Sequence, residues 1–126
     1  MWIMLNDSFF SIVKKDCADD ELRVYARRPN DIQQTFGEIQ VQENPDNDYR
    51  YSAIVKKTLV NKALNERINT IDYGDFEESI QGNDLQRAYS GVWRDMEGIQ
   101  VGGAFACHQK RSRLLGNSSY RLKKSS

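Results

Sequence analysis

At 126 residues, with 39% hydrophobic and 29% charged side chains, the chain has material for one compact domain with a modest core and is short for two. Its formal net charge is zero, yet residues 1–97 hold all 18 Asp and Glu with 12 Lys and Arg, while residues 98–126 hold six cations and no acid. No run approaches the ~18 apolar residues of a membrane-spanning helix, and two cysteines 90 residues apart fit neither a disulfide framework nor a Cys/His zinc site.

The opening Met-Trp-Ile-Met-Leu lacks a basic leader, and Asn6-Asp7 interrupts it, so it does not read as a signal peptide. A cytoplasmic protein is expected. Phe9, Phe10, Ile12 and Val13 predict a strand over 8–14, which the apolar run 2–5 can continue. Residues 14–20 are polar and read as a loop. Leu22, Val24 and Ala26 alternate with Arg23, Tyr25 and Arg27, the period of a half-buried strand, and the two strands are expected to form a hairpin.

Pro29-Asn30-Asp31 punctuates the chain. Asn30 is placed to cap a short helix over 30–36 through its side chain, and Gly37 to end it in a left-handed conformation. Ile39 and Val41 predict a strand over 38–42. Asn44-Pro45-Asp46-Asn47-Asp48 is the strongest turn signal. Tyr49, Tyr51, Ala53 and Val55 would share one face of a strand over 49–55. Thr58 is read as the cap of a helix with Leu59, Val60, Ala63, Leu64, Ile68 and Ile71 in its stripe. A turn at 75–80 leads to a last helix over 84–96, carrying Leu85, Ala88, Tyr89, Val92, Trp93 and Met96. Trp2 and Trp93 are assigned to the core.

The order β-β-α-β-β-α-α predicts an α+β fold, an antiparallel sheet of about four strands with helices on one face. Residues 1–97 are expected to form the single domain. Residues 98–126 form a basic tail: residues 101–107 could make a final edge strand or lean on the body, and from His108 onward the chain is basic and Ser-rich with too little apolar surface to offset ordering, so flexibility is expected there.

Trp2-Ile3-Met4-Leu5-Asn6-Asp7 with Phe9-Phe10-Ser11-Ile12-Val13, then Ala26-Arg27-Arg28-Pro29-Asn30-Asp31-Ile32, resemble segments of a group of short uncharacterised bacterial and mobile-element proteins. Asp48-Tyr49-Arg50-Tyr51, Ile71 to Phe76, Ala88-Tyr89 and Val92-Trp93 extend the similarity, which stops near residue 96. The resemblance implies a bacterial or mobile-element origin and no particular activity.

Catalytic signatures are weak. His108 adjoins Cys107, and neighbours on a strand point to opposite faces, so the pair does not make a nucleophile and base. The glycine spacings fit neither a dinucleotide fingerprint nor a P-loop. No catalytic or metal-ligating residue is assigned and no cofactor is expected; a metal-assisted enzyme using Asp46 and Asp48, or Asp72 and Asp75, ranks third among the readings. The leading reading is a protein-binding module, an adaptor or an inhibitor of a host defence complex of the anti-CRISPR kind, with Arg27, Arg28, Asp48, Tyr49, Arg50 and Tyr51 as its contact residues. The runner-up is a nucleic-acid binder using Lys110, Arg111, Arg113, Tyr120, Arg121, Lys123 and Lys124 of the tail. Association between copies is a further expectation, either head to tail through opposite charge or by pairing at the 49–55 edge.

Overall fold

Asn6 and Asp7 break the N-terminal apolar run and reverse the chain, so what reads as one strand continued by another is a hairpin of two, β1 (Trp2–Met4) and β2 (Phe9–Val13). The Leu5 N–H donates to the Ser8 carbonyl at 2.8 Å and closes the turn. This computed structural model describes residues 1–100. Over them the chain is α+β, with a five-stranded antiparallel sheet and four helices.

After β3 (Glu21–Ala26) comes α1 (Asp31–Phe36). The Asn30 side chain does not cap α1 as expected. Asn30 itself takes the left-handed conformation (φ 74°), and its carbonyl accepts the Gln34 N–H at 2.9 Å. Asn is among the few residues that tolerate this geometry. Gly37 does take a positive φ, 86°, at the end of the helix. The next strand, β4, is only Gln42–Glu43; Ile39 and Val41 reach the core from irregular chain. β5 (Tyr51–Lys56) starts two residues later than its alternation predicts, and α2 (Lys57–Asn69) follows it without a side-chain cap, so Thr58 does not serve as one. Asp75 caps the short α3 (Phe76–Ser79) by accepting the Glu77 N–H at 3.1 Å. The last helix, α4 (Asn83–Glu97), matches its predicted stripe within a residue at each end.

The sheet order is β1-β2-β3-β5-β4. The register places Ile12 opposite Val24 and Val24 opposite Ala53, with Leu22 opposite Val55 and Ala26 opposite Tyr51. Because side chains alternate across a strand, Phe10, Ile12, Val24, Ala26, Ala53 and Val55 all point to one face. There α1 contributes Ile32 and Phe36 and α2 contributes Val60 and Ala63 to a single core. The other face carries the alternate set: Trp2, Phe9, Ser11, Arg23, Tyr25, Ser52 and Ile54.

Residues 1–85 make one compact unit, to which this sheet and core belong, and the remaining described residues, 86–100, belong to a second. Within the second, Tyr89 is buried while Trp93 and Met96 are exposed, so Trp93 is not the core residue its stripe predicts.

Candidate functional site

Arg27 is the first residue beyond β3, and the turn at 44–48 brings Asp48 and Tyr49 to it. That turn is tied by its own backbone: the Asn44 N–H donates to the Arg50 carbonyl at 2.8 Å, and the Asp46 N–H to the Asn44 side chain at 3.1 Å. The Arg27 guanidinium donates to the Asp48 carbonyl at 3.0 Å and to its carboxylate at 3.2 Å. It also lies 4.2 Å above the centroid of the Tyr49 ring. Tyr49 stacks in turn on Tyr25, with centroids 5.2 Å apart and planes 25° from parallel. The result is a three-layer stack of guanidinium, phenol and phenol at the end of the outer face. Cation–π and offset ring stacking each hold such groups in one orientation.

Cross-strand register extends this stack into a band. Tyr25 is opposite Ser11, and Ser11 is opposite Trp2. Trp2 is 62% exposed, although its apolar surroundings in the sequence predict burial. It meets Phe9 edge-on at 5.3 Å. The physical reason is phase. Ile3 shares the covered face with Phe10, so Trp2 must take the opposite one.

Of the six predicted contact residues, the structure brings together Arg27, Asp48 and Tyr49. Tyr49 precedes β5 and stacks on the outer face, so it does not share a face with Tyr51 as predicted. Tyr51 packs on the core side, where it lines a shallow cavity of about 190 Å³ with Arg28, Ile32 and Val41. Arg50 is held in the hairpin by Glu43 at 2.7 Å, and this hydrogen bond raises its pKa.

Arg28 is spoken for inside the fold. It donates to both carboxylate oxygens of Asp31 (3.0 and 3.3 Å), to Asp84 (3.0 Å) and to the Asp7 carbonyl (3.0 Å). The Asp31 side chain is only 4% exposed and also accepts the Phe9 N–H at 3.3 Å. Burial works against the Arg28 charge, but the hydrogen bonds to Asp31 and Asp84 outweigh it and raise its pKa; the same contact with Arg28 lowers that of Asp84. Arg28 is therefore a clamp joining α1, the β1–β2 turn and the first turn of α4.

Sequence reasoning missed Trp2 and Phe9 as surface aromatics. The signal that could have found them is the turn at Asn6-Asp7, which fixes the phase of β1. A second missed feature is a cavity of about 240 Å³ on the helix side of β1, lined by Ile3, Leu5, Leu64, Ile68 and Ile71 with Asn6, Arg67, Thr70, Asp72 and Tyr73. Arg67 is held at its wall by Asp7 at 2.7 Å and Thr35 at 3.0 Å.

Among the described residues no group of three or more His, Cys, Asp or Glu is arranged to hold a metal ion, and no helix is long and apolar enough to cross a membrane. Asp48 is engaged by Arg27, and Asp75 by the start of α3. Lys110, Arg111, Arg113, Tyr120, Arg121, Lys123 and Lys124 lie outside the described residues. No protein-family model matches the chain, and neither does any curated protein or solved structure.

Proposed function

We propose that this chain is a non-catalytic protein-binding module that grips a partner protein with the aromatic band Trp2, Tyr25 and Tyr49 and with Arg27, and that a phage or other mobile element uses it to block a host defence complex as anti-CRISPR proteins do. The observation that carries the binding reading is the Arg27–Tyr49–Tyr25 stack. Trp, Tyr and Arg are the residues most enriched at interface hot spots. Here they are held in place before a partner arrives, which lowers the ordering cost of association.

Charge decides what kind of partner suits this face. Arg27 is already answered by Asp48, so phosphates gain little at the stack, while the net −6 of residues 1–97 as a whole favours the approach of a basic protein. The inhibitor role rests on the short chain, its acidic body and the resemblance to mobile-element proteins.

The test is capture by the immobilised full-length chain from a lysate of its native host, in parallel with a Trp2→Ala/Tyr49→Ala double variant. The expected result is one partner recovered in stoichiometric amount by the unaltered chain, with the variant losing about tenfold or more of it. No stoichiometric partner, or one captured equally by the variant, overturns the reading. Capture of nucleic acid that disappears with salt and with removal of residues 108–126 overturns it in favour of the basic tail.

A further inference from the structure

Among the described residues β1 is an edge of the sheet and lies beside the 240 Å³ cavity, and the geometry points to this pair of features as a docking site for an extended, basic segment of a partner protein that adds to the sheet as a sixth strand. The inference rests on the protein-binding reading above; it uses the backbone edge of β1 and the cavity on the covered face, and shares with the aromatic band only Trp2, whose side chain lies on the outer face.

The hydrogen-bond phase of β1 follows from its ends. Met1 and Ile12 exchange both backbone bonds (2.9 and 2.8 Å), and Leu5 donates to Ser8 (2.8 Å), so Met1, Ile3 and Leu5 face β2. Trp2 and Met4 then turn their N–H and C=O groups outward, and among the described residues no backbone partner meets them. A row of unpaired backbone groups is a template for another strand.

Alternation decides where the incoming side chains go. A residue laid opposite Ile3 sends its side chain to the covered face, beside the cavity walled by Ile3, Leu5, Leu64, Ile68 and Ile71. At about 240 Å³ the cavity is smaller than the ~300–1,000 Å³ typical of ligand pockets, which suits one apolar side chain better than a cofactor. Arg67 on its wall is neutralised by Asp7, so the cavity has no call for an anion.

The rim sets the charge of the guest. Residues 70–82 leave from the cavity wall at Thr70–Tyr73 and return to its lip, where the Gln81 N–H donates to the Asn6 carbonyl at 2.7 Å. That segment carries Asp72, Asp75, Glu77 and Glu78 and has no Lys or Arg. An apolar anchor flanked by Lys or Arg therefore fits. A second copy of the chain pairing edge to edge would bring the same acidic segment against this one, and like charges oppose it.

The test is selection of short random displayed peptides on the full-length chain, followed by affinity measurements on the winners. The expected winners share one apolar residue with cations on either side in an extended pattern. Their binding slows amide exchange at Trp2 and Met4. Met4→Pro removes an outward N–H at an edge position where proline is tolerated, and it weakens binding about tenfold or more. Ile68→Arg, at an exposed wall of the cavity, does the same by removing apolar surface and adding a repelling cation. Circular dichroism checks that each variant is folded. Absence of convergence, helical spacing in the winners, or affinity unchanged in both variants overturns the inference. So does sedimentation showing a dimer that Met4→Pro dissolves, because the guest is then a second copy. Peptide binding at the edge without a partner on the aromatic band would sink the reading under Proposed function alone, and a partner lost in Trp2→Ala/Tyr49→Ala but kept in Met4→Pro would sink this one alone.

Discussion

Phe9 and Phe10 are adjacent on β2, yet Phe10 has no exposed surface and packs on Phe36, while Phe9 shares the outer face with Trp2 and Tyr25. Arg27 and Arg28 repeat the contrast one strand over. Arg28 is wired into Asp31, Asp84 and Asp7, whereas Arg27 lies half-exposed over the Tyr49 ring with the exposed Asp48 as its ion-pair partner. In both pairs a shift of one residue separates a side chain that holds the fold from one that is left on the outer face. The face covered by α1 and α2 fixes stability, and the outer face can hold large aromatics at little structural cost.

The largest break in that comparison comes from the core. Phe10→Ala is expected to cost about 3–5 kcal/mol, since it removes a buried ring and leaves a cavity beneath α1. Trp2→Ala is expected to cost less than about 1 kcal/mol, because most of its ring is in water already. Urea unfolding of both variants measures the difference. Similar losses would mean that the outer face is as much a core as the covered one.

The arginine pair comes next. Arg28→Ala leaves the buried Asp31 carboxylate without its counter-charge, a change that typically costs about 3–5 kcal/mol. The low end is expected here, because the Phe9 N–H still donates to Asp31. Arg27→Ala removes an exposed pair and is expected to cost under about 1 kcal/mol, with its effect appearing in partner binding instead. Thermal unfolding and the capture assay together separate the two roles.

Much of this was legible beforehand. The alternation of Leu22, Val24 and Ala26 and the stripe of α4 each specify an element with a single period, and both elements stand where expected. The α+β class follows from them. What was not legible depends on contacts between distant residues. The two-residue β4 is too short to carry a period, and Ile39 and Val41 mimic a strand while packing as loop. The sequence Arg27-Arg28 gives no sign of which cation is clamped, because the choice is made by Asp31, Asp84 and the Asp7 carbonyl, the last two far away in the chain. The aromatic band is a partial case. Tyr25 and Tyr49 were visible as aromatics among cations, but their stacking needs the 44–48 turn, and Trp2 needed the phase of β1.

A subtler test concerns the stack itself. A double-mutant cycle on Tyr25→Ala and Tyr49→Ala is expected to return a coupling of about 1 kcal/mol, in the range for ring pairs. The rings are half-buried, so coupling near zero in unfolding free energy would show that they meet without holding each other. The aromatic band would then have to be ordered by the partner, and preorganisation would no longer support the binding reading.

The smallest expected effect is in pH. The hydrogen bond from Arg28 lowers the pKa of Asp84, and that from Lys56 lowers the pKa of Asp20, both below the ordinary 3.8. A depressed folded pKa adds stability above the unfolded value that disappears as pH falls through the folded one. Both contributions should therefore be complete at neutral pH and fade below about pH 4. Lys56 runs the other way: its hydrogen bond to Asp20 raises its pKa above 10.5, so that contribution is lost on the alkaline side. Asp84→Asn should lower the urea midpoint slightly at pH 7 and leave it nearly unchanged once the pH has fallen through the lowered pKa of Asp84, where the unaltered chain has lost the same charge. The effect should be small and weakened by salt, because the Asp84 side chain is exposed and Arg28 keeps its bidentate hold on Asp31. A large and salt-independent loss in Asp84→Asn would mean that the clamp depends on its exposed arm, and the division between a structural Arg28 and an available Arg27 would have to be redrawn around Asp84.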